Sequence, residues 1–263
     1  MKRWFNWIVL TLCCVVLSGC SSICPCKSTV VVRTGMVTGL KPEKAAYYRK
    51  LHANTWPGVL KQIEKSNIRN FSIYEKEIDG ELYLFGYYEY IGKDFDADMT
   101  DMAKDVITQT WWKETDPCQK PLFEAAKKKQ IWSNAEEVFH SDGAIDVVPE
   151  KVVRIGTITG LKYEKEAYYR TLHQTTWPGV LKQIKDANIR NYSIYLKKIK
   201  GKLYLLSYFE YVGKDMNKDF AKIGEDATTR RWWKQTDDCQ IPLPAAEKKK
   251  EIWDSMTEVF HCD

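Results

Sequence analysis

A histidine framed by tyrosine and tryptophan occurs twice in this chain, each time inside the same string: Y-Y-R-x-L-H-x-x-T-W-P-G-V-L-K-Q-I covers Tyr47 to Ile63 and again Tyr168 to Ile184. Imidazole, with a reference pKa of about 6.5, gives and takes protons near neutral pH, so His52 and His173 are candidate general acid–base groups. On a helix Tyr48, His52 and Trp56 fall at i, i+4 and i+8 on one face, as do Tyr169, His173 and Trp177. Such a stripe usually reads as core, but a buried imidazole needs polar partners for both ring nitrogens, which packing alone does not supply. Pro57 and Pro178 remove a backbone donor and are expected to kink or restart the helix.

A second aromatic signal is Trp111-Trp112-Lys113, mirrored by Trp232-Trp233-Lys234. Neighbouring side chains on a helix point about 100° apart, so one indole of each pair can pack while the other lines a cavity. Sugar C–H faces stack on indole and sugar hydroxyls pair with tyrosine, asparagine and backbone groups; an aromatic pocket with one titratable group therefore suits a pyranose. Glu89 and Glu210 read equally as orienting carboxylates or as solvated strand ends. His140 and His261 read as structural or surface groups, and Cys118 and Cys239 as small buried hydrophobes.

The two copies run in register without a gap: His173 follows His52 by about 121 residues, and Trp232 and Cys239 follow Trp111 and Cys118 by the same interval. Two units of this size can each bury a core, and two are too few for a solenoid. The expected organisation is an export signal at 1–19, a tether at 20–29, a first repeat at 30–140, a linker at 141–151 and a second repeat at 152–263. In each repeat a strand rich in β-branched residues precedes the helical string. A hairpin follows, turning at Asp79-Gly80 or Lys200-Gly201, then another helical stretch (Phe95 to Trp112 in the first copy) and a last short strand, Glu136 to His140. This β-α-β-β-α-β order predicts an α+β protein of tandem ferredoxin-like domains. The open sheet face of one copy should pair with that of the other, giving a dimeric α/β-barrel within one chain.

Composition narrows the partners. The formal charge is +5 at pH 7, too small to argue for nucleic acid, and the lysine runs at Lys127 to Lys129 and Lys248 to Lys250 read as solvated helix faces. Lys2 and Arg3, an apolar run to Leu17 and then Leu17-Ser18-Gly19-Cys20 match a bacterial lipobox, which makes Cys20 the expected lipid-bearing N-terminus. Ser21 after it points to a lipid anchor in the outer membrane of the cell envelope. Beyond that signal Cys24, Cys26, Cys118, Cys239 and Cys262 leave an odd number, so at least one thiol lacks an intrachain partner. No histidine stands at zinc-ligand spacing from a cysteine pair, and no haem-ligand or flavin pattern is visible; no metal and no cofactor are expected.

The Y-x-x-x-H-x-x-x-W-P string, the Asn-aromatic-x-Ile-Tyr strings at Asn70 to Tyr74 and Asn191 to Tyr195, and the Trp-Trp-Lys strings, in this order, resemble the L-rhamnose mutarotase family. The resemblance runs from Val32 to His140 and from Val153 to His261. It implies a dimeric α/β-barrel that interconverts the α and β anomers of a 6-deoxy sugar such as L-rhamnose or L-fucose, without cofactor or metal. It implies proton donation by His52 and His173, and sugar binding by Tyr48, Tyr169, Trp111, Trp112, Trp232, Trp233 and Tyr192. The first copy departs from this pattern at Phe71, which lacks the hydroxyl that Tyr192 carries.

Two rival readings share these features: a non-catalytic sugar-binding or assembly lipoprotein, and an oxidative enzyme on the same fold. The lipobox reading carries its own test. Cys20→Ala should leave the precursor unprocessed or shift its fractionation, whereas an unacylated mature N-terminus at Ser21 or beyond, found by mass spectrometry, contradicts it.

Overall fold

The computed structural model describes residues 30–263; the signal, Cys20 and the tether lie outside them. The first repeat runs β1 (Val32–Leu40), α1 (Ala45–Ala53), α2 (Pro57–Lys65), β2 (Ile68–Ile78), β3 (Glu81–Tyr90), α3 (Phe95–Lys104), α4 (Val106–Thr115), the short β4 (Gln119–Lys120), α5 (Phe123–Lys127) and β5 (Ser133–Gly143). The second runs β6 (Val153–Leu161), α6 (Glu166–Gln174), α7 (Pro178–Asp186), β7 (Ile189–Ile199), β8 (Lys202–Tyr211), α8 (Met216–Glu225), α9 (Ala227–Asp237), β9 (Gln240–Ile241), α10 (Pro244–Lys249), β10 (Asp254–Ser255) and β11 (Thr257–Cys262). Each copy thus builds the expected α+β, ferredoxin-like unit, with antiparallel strands in the order β5-β1-β3-β2 and β10-β6-β8-β7.

Three local features differ from the expectation. Trp56 does not continue α1: preceding a proline, it is forced to an extended conformation (φ −63°, ψ 134°), and Pro57 then starts α2 at its first position, where its missing N–H costs nothing. The stretch from Phe95 to Trp112 is two helices, because Asp105 leaves helical geometry and caps α4 by accepting from the Thr108 amide at 2.7 Å. The last strand of the first repeat begins at Ser133 and runs to Gly143, so it takes in the first residues of the expected linker. The hairpin turns are as read, with Asp79, Gly80, Lys200 and Gly201 all at positive φ.

The last strands tie the copies together. β5 starts beside β1 through Ser133 to Ala135, then crosses and pairs with β7 from Glu136 to Gly143. The second repeat repeats the manoeuvre: β10 pairs with β6, and β11 pairs with β2 of the first repeat. The two sheets are therefore joined along both edges. Between them lies a shared core in which Val37, Tyr74, Phe85 and Tyr87 meet Ile158, Tyr195, Leu206 and Tyr208. Tyr195 covers Gly35 and Tyr74 covers Gly156; a Cβ at Gly35 would stand 2.5 Å from the tyrosine ring, so only glycine fits there.

At the centre of this seam Tyr87 and Tyr208 stack with centroids 3.9 Å apart. Asn70 donates to both Glu89 (3.0 Å) and Glu210 (2.8 Å) and accepts from the Tyr208 hydroxyl at 2.8 Å. Asn191 mirrors it, donating to Glu89 at 2.6 Å and Glu210 at 3.1 Å and accepting from Tyr87 at 3.0 Å. Both asparagines sit at φ 50° in a bulge, a left-handed conformation that asparagine tolerates. Arg69 and Arg190 pair with the same two carboxylates at 2.9 and 2.7 Å. Glu89 and Glu210 are thus buried members of a neutralised network and not solvated strand ends.

Asn70→Gly keeps the backbone conformation and deletes only the side-chain bonds to these carboxylates. It should lower the unfolding free energy by about 3 kcal/mol, read from denaturant midpoints; a loss below about 1 kcal/mol would show that the seam does not depend on the network.

Candidate active site

α1 positions His52 and then stops. The Thr55 hydroxyl caps its end by donating to the His52 carbonyl at 2.9 Å, as Thr176 does to His173 at 3.0 Å. This explains the threonine before each Trp-Pro: the helix ends one residue after the histidine, leaving the imidazole at its terminus.

The ring is held in one tautomer. Nδ1 of His52 lies 3.0 Å from the Tyr48 carbonyl, and Nδ1 of His173 lies 3.0 Å from the Tyr169 carbonyl. A carbonyl only accepts, so Nδ1 carries the hydrogen and Nε2 of the neutral ring presents a lone pair. Burial opposes the imidazolium and outweighs the backbone hydrogen bond, bringing both histidines down to about 4. At neutral pH both rings are therefore neutral, with the hydrogen on Nδ1 and an unprotonated lone pair on Nε2.

Around each imidazole the aromatic residues assemble in matching geometry. Tyr48 lies under His52 with centroids 4.0 Å apart, and Tyr169 under His173 at 4.1 Å. Trp111 meets His52 edge-on at 5.2 Å and Trp232 meets His173 at 5.4 Å. Trp56 and Trp177 reach this group through those indoles, at 5.3 and 5.4 Å, and not along the α1 and α6 faces. The tryptophan pairs divide as helical geometry requires: Trp111 and Trp232 are buried, Trp112 is half-buried and Trp233 is 39% exposed. Tyr48 and Tyr169 are fully buried, which drives their phenols well above the ordinary range; the Tyr48 hydroxyl accepts from Gln119 at 3.3 Å.

Sequence reasoning missed the residues that finish each shell. Phe260, on β11 of the second repeat, stands 5.7 Å from His52, and Phe139, on β5 of the first repeat, stands 5.5 Å from His173. Each candidate site is therefore composite. The only local signal was the repeated Glu-Val-Phe-His string, which does not reveal that its phenylalanine crosses to the other copy. The histidines of that string, His140 and His261, face the seam: His140 bonds Ser193 (2.8 Å) and Asp142 (3.0 Å), and His261 bonds Ser72 (2.9 Å) and Asp263 (3.1 Å). Ser72 and Ser193 have no solvent exposure, so these Ser-His-Asp rows offer no accessible nucleophile. Cys118 and Cys239 are buried thiols that donate to the carbonyls of Glu114 and Gln235.

A cavity of about 410 Å³ adjoins His52, lined by Asn54, Thr55 and Leu60 from the first repeat and by Glu258, Phe260 and His261 from the second. Its size matches a small-molecule site. A larger cleft of about 1020 Å³ lies at one end of the seam beside Lys76, Asp254 and Leu203 and contains none of the candidate site residues.

Each of the duplicated ferredoxin-like units therefore carries an imidazole fixed in one tautomer inside an aromatic shell. The chain belongs to the L-rhamnose mutarotase family, whose model matches residues 33–141 and again 154–262. Relatives of one-repeat length include the L-rhamnose mutarotase of Oceanobacillus iheyensis, 29% identical over 110 residues, which are 42% of this chain and 98% of that protein. The L-rhamnose mutarotase of Lactiplantibacillus plantarum is 26% identical over 113 residues, 43% of this chain and 100% of that protein. Among solved structures, one from Lactobacillus acidophilus, provisionally described as a monooxygenase, aligns with TM-score 0.50 and 6% identity over 88% of this chain and 95% of its own. At that identity the likeness is one of fold alone.

The low imidazole values predict a titration. In NMR the Cε1 proton shifts of His52 and His173 should move with midpoints near 4 and stay flat through pH 6.5. Because the folded values lie below the unfolded one, these rings favour the folded state above about pH 6.5 and lose that contribution as the pH falls towards 4. Midpoints near 6.5 would show instead that the rings are solvated.

Proposed function

We propose that this chain is an aldose mutarotase that interconverts the α and β anomers of a 6-deoxy sugar such as L-rhamnose or L-fucose, with His173 and His52 as its acid–base groups. The observation that carries the reading is the fixed tautomer: in both copies Nδ1–H is committed to a helix carbonyl and Nε2 keeps its lone pair free inside an aromatic shell. Family membership of both repeats supports the same reaction.

The chemistry balances with one imidazole. Nε2 takes the proton of the anomeric hydroxyl; as the C1–O1 bond becomes a carbonyl, the bond from C1 to the ring oxygen breaks, and the ring oxygen takes the proton from Nε2–H. O1 and the ring oxygen are substituents of the same carbon, so a single nitrogen can serve both. Rotation about C1–C2 and reversal of the steps closes the ring on the other face. The buried phenols of Tyr48 and Tyr169 hold their protons too tightly to act as the second relay, and in this reading they support the imidazole from below. Trp111, Trp232 and the more exposed Trp112 and Trp233 supply faces for the sugar, and Tyr192 a hydroxyl. The dry shell disfavours imidazolium in the resting protein, so the proton is not retained.

In this reading the edge-joined sheets form the dimeric α/β-barrel, complete within one chain, and the lipid on Cys20 holds it at the envelope membrane. The alternative, a sugar-binding or assembly lipoprotein, uses the same shell without turnover.

Exchange NMR of anomeric protons separates the two. With L-rhamnose, His173→Ala should remove most exchange and His52→Ala much less. The first site lacks the Tyr192 hydroxyl, and one hydrogen bond to a sugar in a buried site contributes about 1–3 kcal/mol, roughly 5- to 150-fold in rate. Full exchange in both variants removes histidine catalysis and leaves the binding reading.

A further inference from the structure

Superposing the two copies by their sequence register leaves three differences that belong together. Phe71 corresponds to Tyr192, Tyr88 to Phe209 and Thr34 to Ile155. Phe71 and Tyr88 touch edge to face at 5.8 Å, and Tyr192 and Phe209 at 5.4 Å, so each copy keeps one hydroxyl on this ring pair but on a different strand. Thr34 stands opposite Tyr88 on the β1–β3 ladder, close to its phenol, whereas Ile155 stands opposite Phe209 on the β6–β8 ladder. The threonine is present where there is a phenol to satisfy and replaced where there is none.

The consequence falls on the imidazole shell. Phe71 lies 5.5 Å from Phe260 and Tyr192 lies 5.4 Å from Phe139, and those crossing phenylalanines are the rings that meet His52 and His173. Tyr192 brings a hydroxyl that has no hydrogen-bond partner among the described residues, on a half-buried ring flanked by Phe139 and Phe209. A half-buried phenol without a protein partner is open to pair with a ligand group. At the same place the first copy has a phenyl edge, and its one hydroxyl lies on the next strand, on Tyr88 beside Thr34.

We infer that the two sites take different substrates: the second a 6-deoxy sugar whose ring hydroxyl pairs with Tyr192, the first a sugar that lacks this hydroxyl, a dideoxyhexose, with a C–H against Phe71. The inference rests on the mutarotase reading and deepens it. A site built to pair a hydroxyl discriminates strongly against the analogue lacking it, and an apolar site discriminates more weakly in the opposite sense.

Single-site proteins test it. His173→Ala leaves only the first site competent and His52→Ala only the second. Anomer exchange is measured for each with L-rhamnose and with its 2-, 3- and 4-deoxy derivatives. For at least one derivative, the kcat/KM ratio of deoxy sugar to L-rhamnose should be at least about tenfold higher at the first site than at the second. Phe71→Tyr in the His173→Ala protein should lower that ratio, and Tyr192→Phe in the His52→Ala protein should raise it. Equal ratios at the two sites overturn the inference, as does a first site inert to every sugar while the second turns over; both leave the mutarotase reading standing. Absence of exchange in the unaltered protein with all four sugars overturns that reading and this one with it.

Discussion

Everything in this molecule hangs on the neutralised polar seam between the repeats. Two carboxylates, Glu89 and Glu210, are buried face to face and survive there because Asn70, Asn191, Arg69 and Arg190 satisfy them from both sides. Burying a carboxylate without partners would cost several kcal/mol, so the two copies can meet only in the register that brings each asparagine to both glutamates. The stacked Tyr87 and Tyr208 and the glycines under Tyr74 and Tyr195 accept no other register either. A single chain gains from this arrangement because its second half is always present at high effective concentration.

That register then dictates the sites. Once the sheets are fixed, the last strand of each repeat can pair only by crossing, and crossing carries Phe139 and Phe260 onto the imidazoles of the opposite copy. Burial follows from the crossing, and the lowered histidine values follow from burial. The unprotonated state of Nε2 at neutral pH is in this sense a property of the paired repeats and not of the helical string that carries the histidine. The same dependence explains why the two sites can drift apart while the scaffold stays symmetric: Phe71 and Tyr192 lie in the shells, outside the seam network, so their exchange leaves the register untouched.

How much could be read from the chain alone is clear element by element. The duplication, the hairpins at Asp79-Gly80 and Lys200-Gly201, the ferredoxin-like order of elements, and the grouping of tyrosine, histidine and tryptophan were all legible, because each rests on short-range spacing or on residues with strong local conformational preference. The restart of the helix at Pro57 was legible as well, whereas the break at Asp105, written in the sequence as an aspartate cap, was masked by the helical pattern running through it. What the residues could not state was which copy supplies Phe139 and Phe260, that Glu89 and Glu210 are buried, or that His140 and His261 turn to the seam while His52 and His173 turn to the aromatic shell. Those outcomes depend on contacts between the two copies, which local spacing does not report. Local spacing specifies what a segment can become, whereas burial, protonation and the ownership of a site are decided only when distant segments exclude water from one another.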